Sequence, residues 1–353
     1  MAERVTIQDI ADELGLSRNT VSKAINNTGS LADATRERIL NKAIEMGYKQ
    51  FSYMAFPHLN TTEQESKKPT GPQEIALFTR KFLGNSHFSS PMLDKFQQEI
   101  TKLGYNLTMH LVLDTDVEQM HLPQSLNIEN TAGIICFEMF EESYSRMLCE
   151  LAPPILFVDT PAALTDGPLK ADLLYMDNRT GVISFIREMA KRGRTKIGFV
   201  GEFLHCQSFY ERYSAYREAL ELLHLPHEEK YCITRRAERD TAEDYREYLF
   251  QTMQNMNTLP EVFLCANDFI AIDLLQAFKR LGISVPKDVY LCGFDDSPES
   301  RVITPTLTTI HIHSQIMGIS AADLLISRIR EPSLNYRMVH TETTLIYRES
   351  TED

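Results

Sequence analysis

TIQDIADELGLSRNTVSKAIN, residues 6–26, has the spacing of a helix-turn-helix, two short helices of which the second can lie in a DNA groove. Thr6 is placed to cap the first helix, with Asp9 three residues on, where a carboxylate suits exposed N–H groups. Ile7, Ile10, Ala11 and Leu14 recur at helical spacing and form one apolar face, with Ala11 small where two helices cross. Gly15 supplies the left-handed backbone that ends this helix. Ser17 then caps a second helix that turns Val21, Ala24 and Ile25 inward. Arg18, Asn19, Ser22, Lys23 and Asn26 remain on the outer face, and these residue types hydrogen-bond base edges and phosphates. The same pattern also fits a helical hairpin in some other α domain, so alone it does not assign DNA binding.

The chain has 353 residues, enough for two or three domains. At 43% hydrophobic and 24% charged residues it is ordinary globular material able to bury a core. No apolar run approaches the ~20 residues of a membrane helix, and MAERVTIQDI is too polar for a secretory signal. The expectation is a cytoplasmic protein with no membrane partner. Cys136, Cys149, Cys206, Cys232, Cys265 and Cys292 include no C-x-x-C pair and mostly sit in apolar runs, which points to buried thiols rather than disulfides or zinc ligands. No metal and no cofactor are expected. The net charge of -13 argues against generic coating of nucleic acid. Residues 1–50, however, are neutral, with seven basic and seven acidic side chains, and no acid lies between Leu14 and Ala32, where Arg18 and Lys23 stand. A locally positive reading helix on a neutral head suits sequence-selective binding with weak non-specific affinity.

A third helix fits Ala32–Met46, with Ile39, Leu40, Ala43 and Ile44 inward and Gly47 as its stop, completing a head over residues 1–50. Residues 51–73 read as a hinge or linker; His58–Gln73 is polar, with two prolines and almost nothing apolar. From 74 to 353 the chain alternates apolar runs with amphipathic helical segments. The runs are 75–78, 106–113, 132–137, 154–159, 196–201, 261–267 and 289–295; the helices include Met92–Leu103, Thr180–Arg192, Arg212–Leu223, Ala242–Met256 and Phe269–Leu281. Alternation of this kind means parallel sheets with helices on both faces, and there are too many units for one usual sheet. The expected fold class is therefore α/β: a small all-α helix-turn-helix head followed by a two-lobed body with parallel sheets. A ligand of that body would bind at the carboxyl ends of the strands, between the lobes.

Several motifs, in order, carry a resemblance over nearly the whole chain: VTIQDIADELGLSRNTVSKAIN, TRERILNKAIEMGY, MDNRTGVISFIREMAKRGRTKIGFVG, FLCANDFIAIDLLQAFKRLGISVPKDVYLCGFDD, TPTLTTI and YRES. Together they resemble the LacI/GalR family of bacterial transcriptional regulators, whose body is similar to periplasmic sugar-binding proteins. The resemblance implies a homodimer that binds double-stranded operator DNA under control of a small effector, a sugar, sugar phosphate or nucleobase. It implies base contacts from Arg18, Asn19 and Lys23, and phosphate contacts from Thr6, Thr20, Ser22, Asn26 and Ser30. In the cleft it implies effector contacts from Asp159, Arg212, Asn267 and Asp295, and from Phe88 in the loop 85–91. Asp268 is expected to cap the helix that follows it, and Asp296 to be a turn residue.

The hinge departs from the family pattern. Family members place a short helix here, but Pro57 falls where its groove-wedging leucine would stand, and a proline in a helix interior costs about 3 kcal/mol. Either a shorter helix ends before Pro57, or the heads hang on flexible tethers; the proline favours tethers. Two rival functions remain. A receptor on the same body fold, without a gene-regulatory role, is opposed by the head. An enzyme using Asp295, Asp296 and the His311/His313 pair is opposed by the lack of a G-x-G-x-x-G, P-loop or nucleophile elbow. No catalytic residue is assigned.

Overall fold

Helix α1, Ile7–Leu14, opens on a complete capping box. The Thr6 hydroxyl accepts from the Asp9 amide at 3.3 Å, and the Asp9 carboxylate accepts from the Thr6 amide at 2.7 Å. Gly15 ends the helix at φ 65°, where a Cβ would be strained. Helix α2, Arg18–Ile25, follows after a three-residue turn, with Ser17 Oγ accepting from the Thr20 amide at 3.1 Å. Ile10, Ala11, Val21 and Ala24 are buried against Ile39 and Ala43 of the third segment, in which residues 35, 38, 39, 42 and 43 are helical. Arg38 donates to the Leu14 carbonyl at 3.1 Å, tying that segment to the turn.

The computed structural model describes residues 6–25, 35, 38, 39, 42, 43, 46, 71, 73–80, 89–234 and 242–352. The expectations for Asn26, Ser30, residues 51–57 and Phe88 lie outside these, as does the side chain of Ile25. The chain divides into two units, Met1–Lys67 and Lys68–Asp353, a boundary that falls inside the stretch read as linker.

The second unit is built from β1 (Glu74–Thr79), α3 (Ser89–Lys102), β2 (Asn106–Leu111), α4 (Asp114–Gln119), β3 (Thr131–Phe137), α5 (Glu142–Leu148), β4 (Ile155–Val158) and β5 (Asp172–Met176). These are followed by α6 (Thr180–Lys191), β6 (Ile197–Val200), α7 (Gln207–Leu222), β7 (Cys232–Ile233), α8 (Ala242–Gln254), β8 (Val262–Cys265), α9 (Asp268–Leu281) and β9 (Tyr290–Cys292). The last elements are β10 (Thr309–Ile312), α10 (Ser314–Arg330), β11 (Met338–Thr341) and β12 (Thr343–Ile346). One parallel sheet has the order β11-β5-β4-β3-β1-β2 and a second the order β7-β6-β8-β9. Antiparallel β10 and β12 extend the second sheet through bridges from Cys292 to Thr308 and from Asp295 to His311. Central strands such as ILFV and VFLC are buried on every residue, as a sheet covered on both faces requires.

The chain crosses between the two lobes three times: at residues 177–179, at His313, and at Glu342. These crossovers return α10 and β11 to the first lobe and β12 to the second. Strand β5 and everything after β9 were not read as regular elements from the sequence; β10 to β12 are each only four residues long and lie at sheet margins. Helix α7 begins five residues before Arg212, so that arginine sits one turn inside the helix rather than at its start. Among the described residues no helix is long and apolar enough to cross a membrane.

Candidate functional site

On the head, Arg18, Asn19 and Lys23 are exposed along α2, while Thr20 and Ser22 are half-buried. Thr20 Oγ1 shares a hydrogen with Ser17 Oγ at 2.8 Å, and the Thr6 hydroxyl belongs to the α1 cap. The two threonines therefore stabilise helix starts, where free N–H groups and the helix dipole favour an anion.

In the body, parallel strands β4, β6, β8 and β9 point their carboxyl ends toward the gap between the lobes, and the expected effector residues follow them. Arg212, 3% exposed, reaches across this region from α7. Its Nε donates to Asn178 Oδ1 at 2.9 Å and its Nη1 to the Ala266 carbonyl at 2.6 Å. The guanidinium lies 3.5 Å from the centroid of the Phe294 ring, with Phe209 5.6 Å away, and faces Asp295 Oδ1 at 3.6 Å. Its plane is thus set by stacking and by fixed acceptors before any ligand arrives.

Asp295 follows β9 with φ 115°, a backbone conformation that a side chain rarely adopts and that marks functional sites. Burial pushes its carboxyl up to about 7, against the pull of Arg212 and with the repulsion of Asp268. Asn267, not Asp268, caps α9: its Oδ1 accepts from the Ile270 amide at 3.0 Å. Asp268 is the first helical residue and is fully buried. Its carboxylate accepts from Thr309 Oγ1 at 2.6 Å and from the Ser297 amide at 2.7 Å, while burial raises it to about 6. A Cβ at Gly293 would stand 2.1 Å from Asp268 Oδ1, so glycine is required for that carboxylate to enter. Asp296 does occupy a left-handed position, φ 58°, but it is also a buried anchor. It takes Arg301 at 2.6 Å, Arg348 at 2.5 Å and His311 Nδ1 at 2.9 Å. Burial raises its carboxyl, and the two arginines outweigh that and hold it below the usual range. His313 Nε2 pairs with Thr344 Oγ1 at 2.9 Å, so both histidines of the pair are held by neighbours.

Asp159 stands at φ 64° at the end of β4 and is 8% exposed. Its Oδ1 accepts from the Thr160 amide at 2.8 Å and from the Ser208 amide of α7, in the other lobe, at 3.1 Å. Sequence reasoning did not single out Asn178 or Glu211. Asn178, fully buried in the first crossover, donates to Glu211 Oε2 at 2.9 Å while it accepts from Arg212. The signal was present, since DNR in the MDNRTG motif follows an apolar strand directly, but a buried asparagine at a crossover has no periodicity to betray it.

The raised carboxyls give a pH dependence with a fixed sign. Asp295 and Asp268 bind protons in the folded protein near pH 6–7, where the unfolded chain, with Asp near 3.9, does not. The contribution of these two carboxyls to stability therefore rises as pH falls from 8 toward 6. It is opposed by His110, His227 and His311, which burial makes harder to protonate. Denaturant unfolding at pH 8, 7 and 6 should show a stability that rises more, or falls less, toward pH 6 in the parent chain than in Asp295→Asn.

Comparison with known proteins agrees with this fold. Residues 6–50 match the profile described as bacterial regulatory proteins, lacI family, and residues 186–351 match the periplasmic binding protein-like domain. The HTH-type transcriptional repressor PurR of Vibrio atlanticus (strain LGP32) is 26% identical over 349 residues, 97% of each chain. A transcriptional regulator CelR–cellobiose complex superimposes with TM-score 0.69 at 20% identity, over 98% of this chain and all of the other. The lac repressor dimer bound to operator and the anti-inducer ONPF does so with TM-score 0.65 at 20% identity, over 99% of this chain and all of the other. The head thus carries the lacI-family DNA-binding domain and the body the periplasmic binding protein-like domain, the domain pair of LacI-type bacterial transcriptional regulators. The chain joins a helix-turn-helix head to a periplasmic-binding-protein-like, effector-binding body, and the family consists of regulators rather than enzymes.

Proposed function

We propose that this chain is a cytoplasmic, homodimeric repressor whose operator affinity is set by a neutral sugar bound between the lobes of its body. Its domains on this reading are the head 1–50, the linker 51–73 and the body 74–353. The observation that carries the reading is the Arg212–Asp295–Asn267 cluster at the strand ends. Carboxylates, a fixed arginine fork and an amide in one cleft can each bridge neighbouring hydroxyls. Asp159 lies at the end of β4, close to the same region.

A neutral sugar fits better than a sugar phosphate. Arg80, just after β1, and Arg212, inside α7, already face carboxylates: Asp114 and Glu141 for the first, Asp295 for the second. A phosphate would have to displace those partners, whereas a hydroxyl can donate to Asp295 and accept from Arg212 together. The cellobiose complex of the structural neighbour supports a sugar, and the PurR relative keeps nucleobases in the test. Thermal-shift titrations with mono- and disaccharides, their phosphates and purine bases decide among them. A specific ligand raises the midpoint with the logarithm of its concentration. A response confined to phosphates or purines overturns the neutral-sugar reading.

At the operator, Arg18, Asn19 and Lys23 read bases while Thr6, Thr20, Ser22, Asn26 and Ser30 hold phosphates of a pseudo-palindromic site. Arg18→Ala should lose about 1–3 kcal/mol and relax sequence preference at one position of each half-site. Thr20→Ala should instead weaken all sequences about equally. Fluorescence anisotropy on operator and single-base variants distinguishes the two patterns. A uniform loss for Arg18→Ala removes it from base reading.

A further inference from the structure

Helix α7 has only a weak cap of its own. Its N-cap residue is Cys206, in extended backbone at φ -154° and ψ 168°, which suits a capping residue. Its thiol, however, kept neutral by burial, is a poor acceptor beside the Phe209 amide and forms no regular cap hydrogen bond. The same thiol also meets the Asp159 carboxylate. The stronger acceptor comes from the opposite lobe, where Asp159 Oδ1 takes the Ser208 amide, the second of the helix, at 3.1 Å. Two more bonds join the same places: the Gln207 amide donates to the Thr160 carbonyl at 2.9 Å, and Gln207 Oε1 accepts from the Ala163 amide at 3.2 Å. Beside them Phe140 of the first lobe meets His205 of the second edge-on, with ring centroids 5.1 Å apart.

We propose that Asp159 is a positioning residue, an N-cap lent by one lobe to a helix of the other, which makes closure of the lobes and completion of α7 a single event. A helix start left without a cap is less stable, typically by an amount equivalent to about five-fold in an equilibrium. Opening the lobes withdraws the cap, so this protein is biased toward the closed arrangement before effector binds. The carboxylate also gains from the positive end of the helix dipole, and its left-handed backbone keeps it aimed across the gap. Arg212 lies on the first turns of the same helix. Closure capped by Asp159 therefore fixes the element that carries the effector-facing arginine.

The proposal rests on the effector reading only for its effect on ligand release; the capping claim is tested without ligand. In the full chain, hydrogen exchange of the amides at 207–210 is measured for Asp159→Ala and Asp159→Asn, with scattering for the lobe separation. Asparagine retains an acceptor suited to a cap. The expected result is exchange about five-fold faster and a wider solution envelope in Asp159→Ala, with Asp159→Asn near the parent. Cys206→Ser gives α7 a stronger local cap and should keep the amides protected when combined with Asp159→Ala. Where a ligand has been identified, its off-rate should rise about five-fold in Asp159→Ala. Unchanged exchange and envelope in Asp159→Ala overturn the proposal. Equal loss of ligand in the Ala and Asn variants with unchanged exchange would make Asp159 a direct ligand contact instead.

Discussion

Arg212→Ala is expected to abolish the ligand-induced thermal shift and to destabilise the effector-free body by about 3–5 kcal/mol, the usual cost of breaking a buried ion pair from one side. The side chain is almost fully enclosed and is packed between Phe294 and Phe209. Its removal strands three acceptors at once: Asn178 Oδ1, the Ala266 carbonyl and the Asp295 carboxylate. Asp295 is already raised to about 7 with the guanidinium beside it, and without it the carboxyl rises further and is protonated at neutral pH. The variant thus loses both members of the pair that would meet a ligand's hydroxyls. Lysine does not rescue, because one ammonium cannot satisfy the Nε and Nη1 acceptors while stacking on Phe294. Chemical denaturation gives the stability, and calorimetric titration with the ligand found by thermal shift gives the binding. An undiminished ligand shift in Arg212→Ala would remove this arginine from the effector site.

What the sequence disclosed follows the physics of each signal. The head was legible residue by residue, since Thr6, Asp9, Gly15 and Ser17 each do a local job and the structure uses them so. The alternation of buried runs and helices was equally plain, because covered parallel strands leave continuous apolar stretches. Short margin strands such as Thr309–Ile312 and Thr343–Ile346 were not, as four residues are too few to show a period. The residues expected to face a ligand stood out where they follow an apolar run, as Asn267 and Asp295 do. Asn178 and Glu211 did not, because their roles depend on a crossover and a helix meeting in space. The same limit explains the misplaced cap of α9, since Asn and Asp are equally good caps in sequence and only the backbone chooses Asn267. It applies to Asp159 too: its bond to the Ser208 amide of the neighbouring lobe depends on two segments meeting in space and has no sequence signal.

Asp172→Ala is the second large effect, and it lies away from the cleft. Asp172, 1% exposed, receives Arg328 through Nε at 3.1 Å and Nη2 at 3.0 Å, and Arg337 through its amide at 2.7 Å and Nη2 at 2.9 Å. Arg328 comes from α10 and Arg337 precedes β11, the two elements that the later crossovers return to the first lobe. One carboxylate therefore fastens both returning segments to β5. Its loss leaves Arg328 buried with only the carbonyls of residues 332, 334 and 335, and about 3–5 kcal/mol should go with it. The pH dependence has the opposite sign to that of Asp295. Burial raises Asp172, but the two arginines outweigh it and hold the carboxyl below its ordinary value. Its contribution is then complete above about pH 4, where the unfolded carboxyl is ionised. It is lost as pH falls through the depressed folded value. The difference in unfolding free energy between the parent chain and Asp172→Ala should be flat from pH 8 to 5 and shrink in acid. The Asp295→Asn difference should change between pH 8 and 6. A carboxylate kept ionised by two arginines holds the scaffold, whereas one held near neutrality beside a single arginine keeps its hydrogen-bonding capacity for a ligand. If both differences vary over the same pH range, that division of labour is wrong.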